Sequence, residues 1–144
     1  MDKITSGINF FIALSKVATI MDRHFDRMLG GISFNEFLIL WHLREAPDKQ
    51  LRRIDLADKI GLTASGVTRL LLPMEKVHFI KSGPLGDDAR SRSVQISAAG
   101  NEKLDGAIER FEYLTEELLD SETAEALQKT SSILLRIGGR ALMS

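Results

Sequence analysis

Two short helical segments joined through a single glycine constrain the fold of this chain more than any other feature. Residues 53–60 carry apolar side chains at helical spacing, and Gly61 follows them as the residue type that most readily adopts the left-handed conformation at a helix end. Thr63 is a good N-cap for a second helix that runs to about Lys76. So tight a connection predicts a helix-turn-helix, the alternative being an ordinary helical corner.

Two further helices precede this pair. Apolar residues recur at three- and four-residue spacing from Ile4 to Leu29, and Gly30-Gly31 ends the segment. Ser33 and Glu36 form an S-x-x-E capping box at the start of the second helix. This helix should end before Pro47, because the residue ahead of a proline is disfavoured in helical geometry.

Beyond the pair, short β-type segments at Phe79-Ile80 and Val94–Ile96 flank a charged Gly-Pro-Leu-Gly tip and predict a hairpin. Ser97 is the expected cap of a long helix, and Asp120 or Ser121 the expected cap of the last one.

A helix-turn-helix followed by a basic hairpin is typical of proteins that bind double-stranded DNA. The start of the second helix reaches the major groove, which favours short polar side chains and one long donor. The expected contacts there are Thr63, Ala64, Ser65, Thr68 and Arg69. Arg90 and Arg92 suit the minor groove or backbone, and Asp88 should hold the hairpin tip by a charge-assisted hydrogen bond. The alternative is a solvated helix face beside a hairpin whose charges only keep it soluble.

The charge distribution agrees with a polyanionic partner for the middle of the chain. The formal net charge is −1 overall, but residues 44–97 carry +3 and residues 98–144 carry −4. Only the middle segment would therefore be attracted to DNA.

Several other classes of protein are excluded or disfavoured. The chain has no cysteine and three widely separated histidines, so no metal site and no cofactor are expected. It carries no recognisable nucleophile or phosphate-loop motif, so we do not expect an enzyme. No run approaches the ~20 apolar residues of a membrane span, and the N-terminus lacks signal-peptide character, which predicts a soluble cytoplasmic protein.

Apolar residues at both ends of the chain predict a homodimer. They would form a large exposed patch on a monomer, and they are Ile4, Ile8, Phe11, Ile12, Leu127, Leu134, Ile137 and Leu142. A two-fold dimer would bury the patch and place two recognition helices one DNA turn, about 34 Å, apart. The alternative is that the two ends pack only on each other within one chain.

The segment DARSRSVQISAAG at 88–100 resembles the D-x-R wing and V-x-L-T-x-x-G motif of the MarR (multiple antibiotic resistance regulator) family of winged-helix repressors. Residues 54–62 and 67–70 are similar to the first and recognition helices of that family. The resemblance implies a mainly α (α+β) fold with a winged helix-turn-helix lobe at 33–97. It also implies that helices at 1–32 and 98–144 form an intertwined dimerisation region. The chain would then be a bacterial repressor that binds a palindromic operator and releases the DNA when it binds a small aromatic ligand.

In that family the ligand lies between the DNA lobe and the dimer base. The residues of this chain that fall there are Phe11, Arg27, Phe37, Trp41, His42 and Phe111. Ordinary core packing would explain the aromatic residues equally well.

Four positions depart from the family pattern. Pro73 replaces a usual arginine and should kink or break the recognition helix, His78 replaces a usual glycine, Ser82 a frequent arginine, and Arg52 a common hydroxyl cap. Pro73 and the near-neutral charge favour one alternative, a winged-helix dimer that serves as a protein–protein interaction module with weak or no DNA binding.

Overall fold

The computed structural model describes residues 1–83 and 92–143 and shows a mainly helical chain with one small sheet. Its helices are α1 (Lys3–Met28), α2 (Phe34–Glu45), α3 (Arg53–Ile60), α4 (Ala64–Lys76), α5 (Ala98–Leu119) and α6 (Ala124–Met143). A 3-10 turn spans Pro47–Lys49, and the strands are β1 (Gln50–Arg52), β2 (Ile80–Ser82) and β3 (Ser93–Ile96). This order of elements is that of a winged helix-turn-helix, as the sequence predicts.

The helix boundaries follow local capping chemistry. The Ser33 hydroxyl accepts from the Glu36 amide at 3.1 Å, and the Glu36 carboxylate accepts from the Ser33 amide at 2.9 Å, which confirms the capping box. Gly61 ends α3 in the left-handed region with φ of 80°. The expected cap of α6 is wrong. Residues 120–122 form the turn itself, and the Thr123 hydroxyl accepts from the Ala126 amide at 3.0 Å instead.

The sheet has the order β1-β3-β2, and both pairs are antiparallel. Leu51 of β1 and Ser82 of β2 lie on either side of Val94, which is fully buried. The hairpin strands β2 and β3 confirm the sequence prediction, whereas β1 was not predicted. Strand β1 places the start of α3 directly beside the base of the hairpin.

Helix α4 continues through Pro73 to Lys76, so the expected break is wrong. Pro73 is exposed, whereas Leu71 and Met74 on the opposite face are fully buried. Burial of that face holds the last turn in place although the proline supplies no amide hydrogen.

The chain divides into two compact units, residues 1–110 and residues 111–144. The core of the first unit is built from α2, α3, α4, the sheet and the start of α5. Its most deeply buried side chains include Leu29, Ile39, Leu40, Leu43, Leu56, Val67, Leu71, Met74, Val94 and Leu104. In the second unit Leu114 is buried, while α6 has no buried residue.

Helix α1 has no buried residue at all. Its most apolar 18-residue window has a mean hydropathy of 1.5, so by length and composition alone it could cross a membrane. The expectation that no segment approaches a membrane span is therefore wrong for this helix. The same length and composition suit a helix whose apolar face packs against another protein surface.

His78 occupies a left-handed backbone position after α4, with φ of 62°. A glycine would adopt this conformation without the steric conflict that a Cβ introduces. We expect His78→Gly to raise the free energy of unfolding by about 1 kcal/mol. Urea unfolding would check this, and a lower midpoint for the variant would contradict the assignment of strain to this residue.

Candidate nucleic-acid interface

The first turn of α4 is open to solvent and held by a hydroxyl cap. Thr63 Oγ1 accepts from the Gly66 amide at 3.1 Å and lies 3.3 Å from Ser65 Oγ. Thr63 and Ser65 are exposed, while Ala64 is half-buried. A capped helix start with small residues lets a phosphate or base edge approach the backbone amides closely.

One face of α4 remains exposed along its whole length. Ser65, Arg69, Leu72 and Lys76 are spaced at intervals of three or four residues and all are exposed. This face combines a short polar side chain, a long hydrogen-bond donor, one apolar side chain and one lysine, a combination that suits the major groove of DNA. Leu72 and Lys76 were missed by sequence reasoning, although their helical spacing from Arg69 could have identified them.

Thr68, another predicted contact on α4, has a hydroxyl with partners on both α3 and α4. The hydroxyl donates to the Ala64 carbonyl at 3.0 Å, and Arg53 Nη1 lies 3.4 Å from it. The side chain is half-buried. Its methyl group therefore remains the part of Thr68 best suited to touch DNA.

The hairpin base is described, whereas its tip is not. Arg92 is half-buried, and its Nε donates to the Gly83 carbonyl at 3.3 Å across the two strands. The predicted minor-groove residue Arg90 and the predicted tip residue Asp88 lie outside the described residues. At the hairpin base, Arg92 ties the ends of β2 and β3 together.

At the start of α3, Arg52 forms an exposed ion pair with Asp55, with Nε 2.7 Å from Oδ2. The hydrogen bond that Arg52 donates, and then the attraction between the two charges, lower the pKa of Asp55 below its usual 3.8. The N-cap position of α3 thus has an ion pair in place of the hydroxyl cap that is common there, since Arg52 makes no side-chain cap hydrogen bond.

The predicted ligand residues separate into groups. Phe37 and Trp41 stack with ring centroids 6.3 Å apart, and they continue a row of rings through Phe34 to Phe25. Phe11 instead meets Phe10 edge-on at 5.5 Å. Phe34 and Phe25 were not predicted for this site. Phe34 lies three residues before Phe37 on α2, so helical spacing could have identified it, whereas only the packing of α1 on α2 brings Phe25 to this row.

The remaining predicted ligand residues differ in exposure and in the element that carries them. Arg27 is exposed on α1, and His42 is half-buried on α2. Phe111 belongs to the second compact unit. Within the part of the chain that the structure describes, no group of three or more metal-ligating side chains occurs.

His42 gives the chain a pH-dependent stability. Partial burial, and then the Lys59 ammonium, lower the pKa of His42 below its usual 6.5. The unfolded chain therefore binds a proton more readily, so this contribution to stability is present above pH 6.5 and is lost as the pH falls through the lowered pKa. We expect His42→Gln to flatten the acid side of the unfolding curve. An unchanged pH dependence in urea titrations would contradict this.

Neither a family model nor a curated protein matches the sequence. Solved structures do match its fold. The transcriptional regulator BldR from Sulfolobus solfataricus is 24% identical over 94% of this chain and 99% of its own, with a TM-score of 0.80. A MarR family transcriptional regulator from Streptomyces coelicolor, solved in complex with DNA, is 23% identical over 97% of this chain and 89% of its own, with a TM-score of 0.79. This chain has the MarR fold.

A third similar structure was solved with a small ligand. NadR, solved in complex with 4-hydroxyphenylacetate, is 18% identical over 88% of this chain and 90% of its own, with a TM-score of 0.72. The Streptomyces structure and the NadR structure are thus complexes with DNA and with a small phenolic ligand, the two kinds of partner that the sequence predicts for this chain.

Proposed function

We propose that this protein is a MarR-type transcriptional regulator that binds double-stranded DNA through α4. The observation that carries the proposal is the exposed, hydroxyl-capped start of α4, with Ser65 and Arg69 on one face. The Streptomyces neighbour of the same fold, solved with DNA, supports it. Arg69 supplies the long donor for a base edge or phosphate, and the hairpin at 83–92 supplies a second contact.

The regulator acts as a homodimer on a palindromic operator and represses transcription there. Support for the dimer comes from α1, where Ile4, Ile8, Phe11 and Ile12 are 77%, 56%, 55% and 60% exposed. Four such side chains on one helix form an apolar surface of the kind that an oligomer buries. A two-fold axis would then match the two-fold symmetry of the operator.

A small aromatic or phenolic anion releases the DNA. The phenolic ligand of NadR supports this, and the row of rings at Phe25, Phe34, Phe37 and Trp41 supplies an aromatic surface. With its lowered pKa, His42 is neutral at pH 7 and would meet the ligand through a hydrogen bond, leaving Arg27 as the charged partner. Release follows if the ligand binds more tightly to the dimer state that does not fit one DNA turn.

The test is a titration of the purified protein into labelled DNA from upstream of its own gene, with scrambled DNA as reference, at two salt concentrations. We expect tight binding to the first DNA only, weakened by salt because phosphate contacts release counterions. Arg69→Ala should lower the affinity about 5- to 150-fold, since a good base contact contributes about 1–3 kcal/mol. Arg140→Ala removes the same charge from α6 and should change little. Equal, weak binding to both DNAs by the parent protein would favour the interaction-module alternative.

A further inference from the structure

The guanidinium of Arg53 is buried at the junction of the helix-turn-helix and the hairpin. Arg53 is the first residue of α3 and is only 7% exposed. Among the described residues, no carboxylate oxygen lies within 4.0 Å of its nitrogens. A buried cation without an anionic partner is unusual, because desolvation of the charge is costly.

The guanidinium contacts the two elements that would meet DNA. Nη1 lies 3.4 Å from Thr68 Oγ1 on α4, and Nη2 lies 3.3 Å from Ser82 Oγ on β2. Ser82 in turn donates a hydrogen bond to the Glu75 carboxylate near the end of α4. One side chain therefore connects the exposed helix to the first strand of the hairpin.

The backbone of Arg53 completes the junction. Its amide donates to the carbonyl of Arg92 at 3.1 Å, at the point where the hairpin returns into β3. Both ends of the hairpin base are thus joined to the first turn of α3, one through the guanidinium and the other through the main chain.

This arrangement is better suited to positioning than to stability. Both hydroxyl contacts are long for hydrogen bonds, and Nε is buried with no partner among the described residues. An apolar side chain of similar volume would fill the same space without desolvating a charge, and such replacements are often neutral or stabilising. Stability alone therefore does not account for an arginine here.

We propose that Arg53 is a positioning residue that fixes the hairpin relative to α4, so that both can engage one DNA site together. The proposal rests on the DNA-binding function proposed above. Without the guanidinium, α4 keeps its own cap and buried face, and the strands keep their pairing. What is lost is the fixed spacing between the two.

Arg53→Met tests this, because methionine fills much of the volume without bridging Thr68 and Ser82. We expect unfolding stability to be retained and DNA affinity to fall at least tenfold. The plot of log K against log salt should also become shallower by about 1–2, since the phosphate contacts of the hairpin no longer form together with those of α4. A general loss of structure would not produce this pattern.

Arg44→Met is the matched control. Arg44 is also partly buried, but it bonds Asn101 and Asp105 at the start of α5, away from the hairpin. We expect this variant to lose stability with an unchanged salt dependence. If Arg53→Met binds DNA like the parent, or loses affinity with no change in salt dependence, the positioning role is wrong.

A second measurement does not depend on DNA. The amide of residue 53 donates to the Arg92 carbonyl at 3.1 Å, and its hydrogen exchange reports how firmly the hairpin is held to the start of α3. We expect faster exchange there in Arg53→Met and parent-like exchange in Arg44→Met. Unchanged exchange in both variants would overturn the proposal even if the parent binds no DNA, whereas faster exchange in a protein that binds no DNA would refute the DNA-binding function alone.

Discussion

Replacing Gly100 with alanine should destabilise the protein strongly, because the chain leaves no room for a methyl group at this position of α5. A Cβ at this buried position would lie 2.1 Å from the Phe79 carbonyl oxygen and 3.0 Å from Ile96 Cγ1. The carbonyl cannot easily move, because it also accepts from the Ser97 amide at 3.0 Å. Overpacking against main chain of this kind costs about 3 kcal/mol. For a chain of this size the loss corresponds to a Tm lower by about 10 °C.

Gly106→Ala is the matched control within the same helix. Gly106 is exposed, and a Cβ there meets nothing within 4 Å. This variant should be more stable by about 1 kcal/mol, the usual difference in helix propensity between the two residues. Calorimetry of both variants checks the prediction. Equal changes of the same sign would show that helix propensity, and not the approach of Phe79 to α5, controls position 100.

The contact at Gly100 also explains a sequence motif that was recognised only by resemblance. The glycine lies where α5 crosses the chain just after α4, and the Ser97 hydroxyl accepts from its amide at 3.0 Å. That hydroxyl also donates to the His78 carbonyl at 2.5 Å. A serine cap followed three residues later by glycine is thus required by the close packing of two chain segments.

Features that depend on neighbouring residues could be predicted from the sequence. The Ser33 capping box, the Gly61 helix end and the Thr63 cap all form as expected, because each involves residues at most four apart. Strand β1 could not be predicted, since it has three residues and exists only through pairing with β3. The Pro73 prediction failed for a related reason, because burial of the opposite face of α4 is a tertiary effect.

The candidate site likewise contains features that local sequence predicts and features that depend on distant residues. Exposure of Ser65 and Arg69 follows from their place on α4, which the pattern of apolar residues predicts. One partner of the Thr68 hydroxyl is Arg53, which is fifteen residues away in sequence. No local sequence pattern predicts that contact. The roles of Arg90 and Asp88 stay predictions.

A charge on the apolar face of α1 should have the second large effect, because it tests the proposed dimer. Phe11 is 55% exposed and lies on the face that also carries Ile4 and Ile8. If a second copy covers this face, Phe11→Glu would bury an unpaired carboxylate at the interface. We expect the dimer dissociation constant to rise on the order of a hundredfold, about 3 kcal/mol, and operator affinity to fall with it.

Ser6→Glu is the control, since it adds the same charge to α1 on the side opposite Phe11. Sedimentation over a range of concentrations should show a dimer for Ser6→Glu and dissociation to monomer for Phe11→Glu. DNA binding separates dissociation from unfolding, because a folded monomer still presents one α4 helix to one half of the operator. Weak, salt-dependent binding to a half-site should therefore survive in Phe11→Glu, whereas a dimer as tight as the parent would mean that something other than a second copy covers the apolar face of α1.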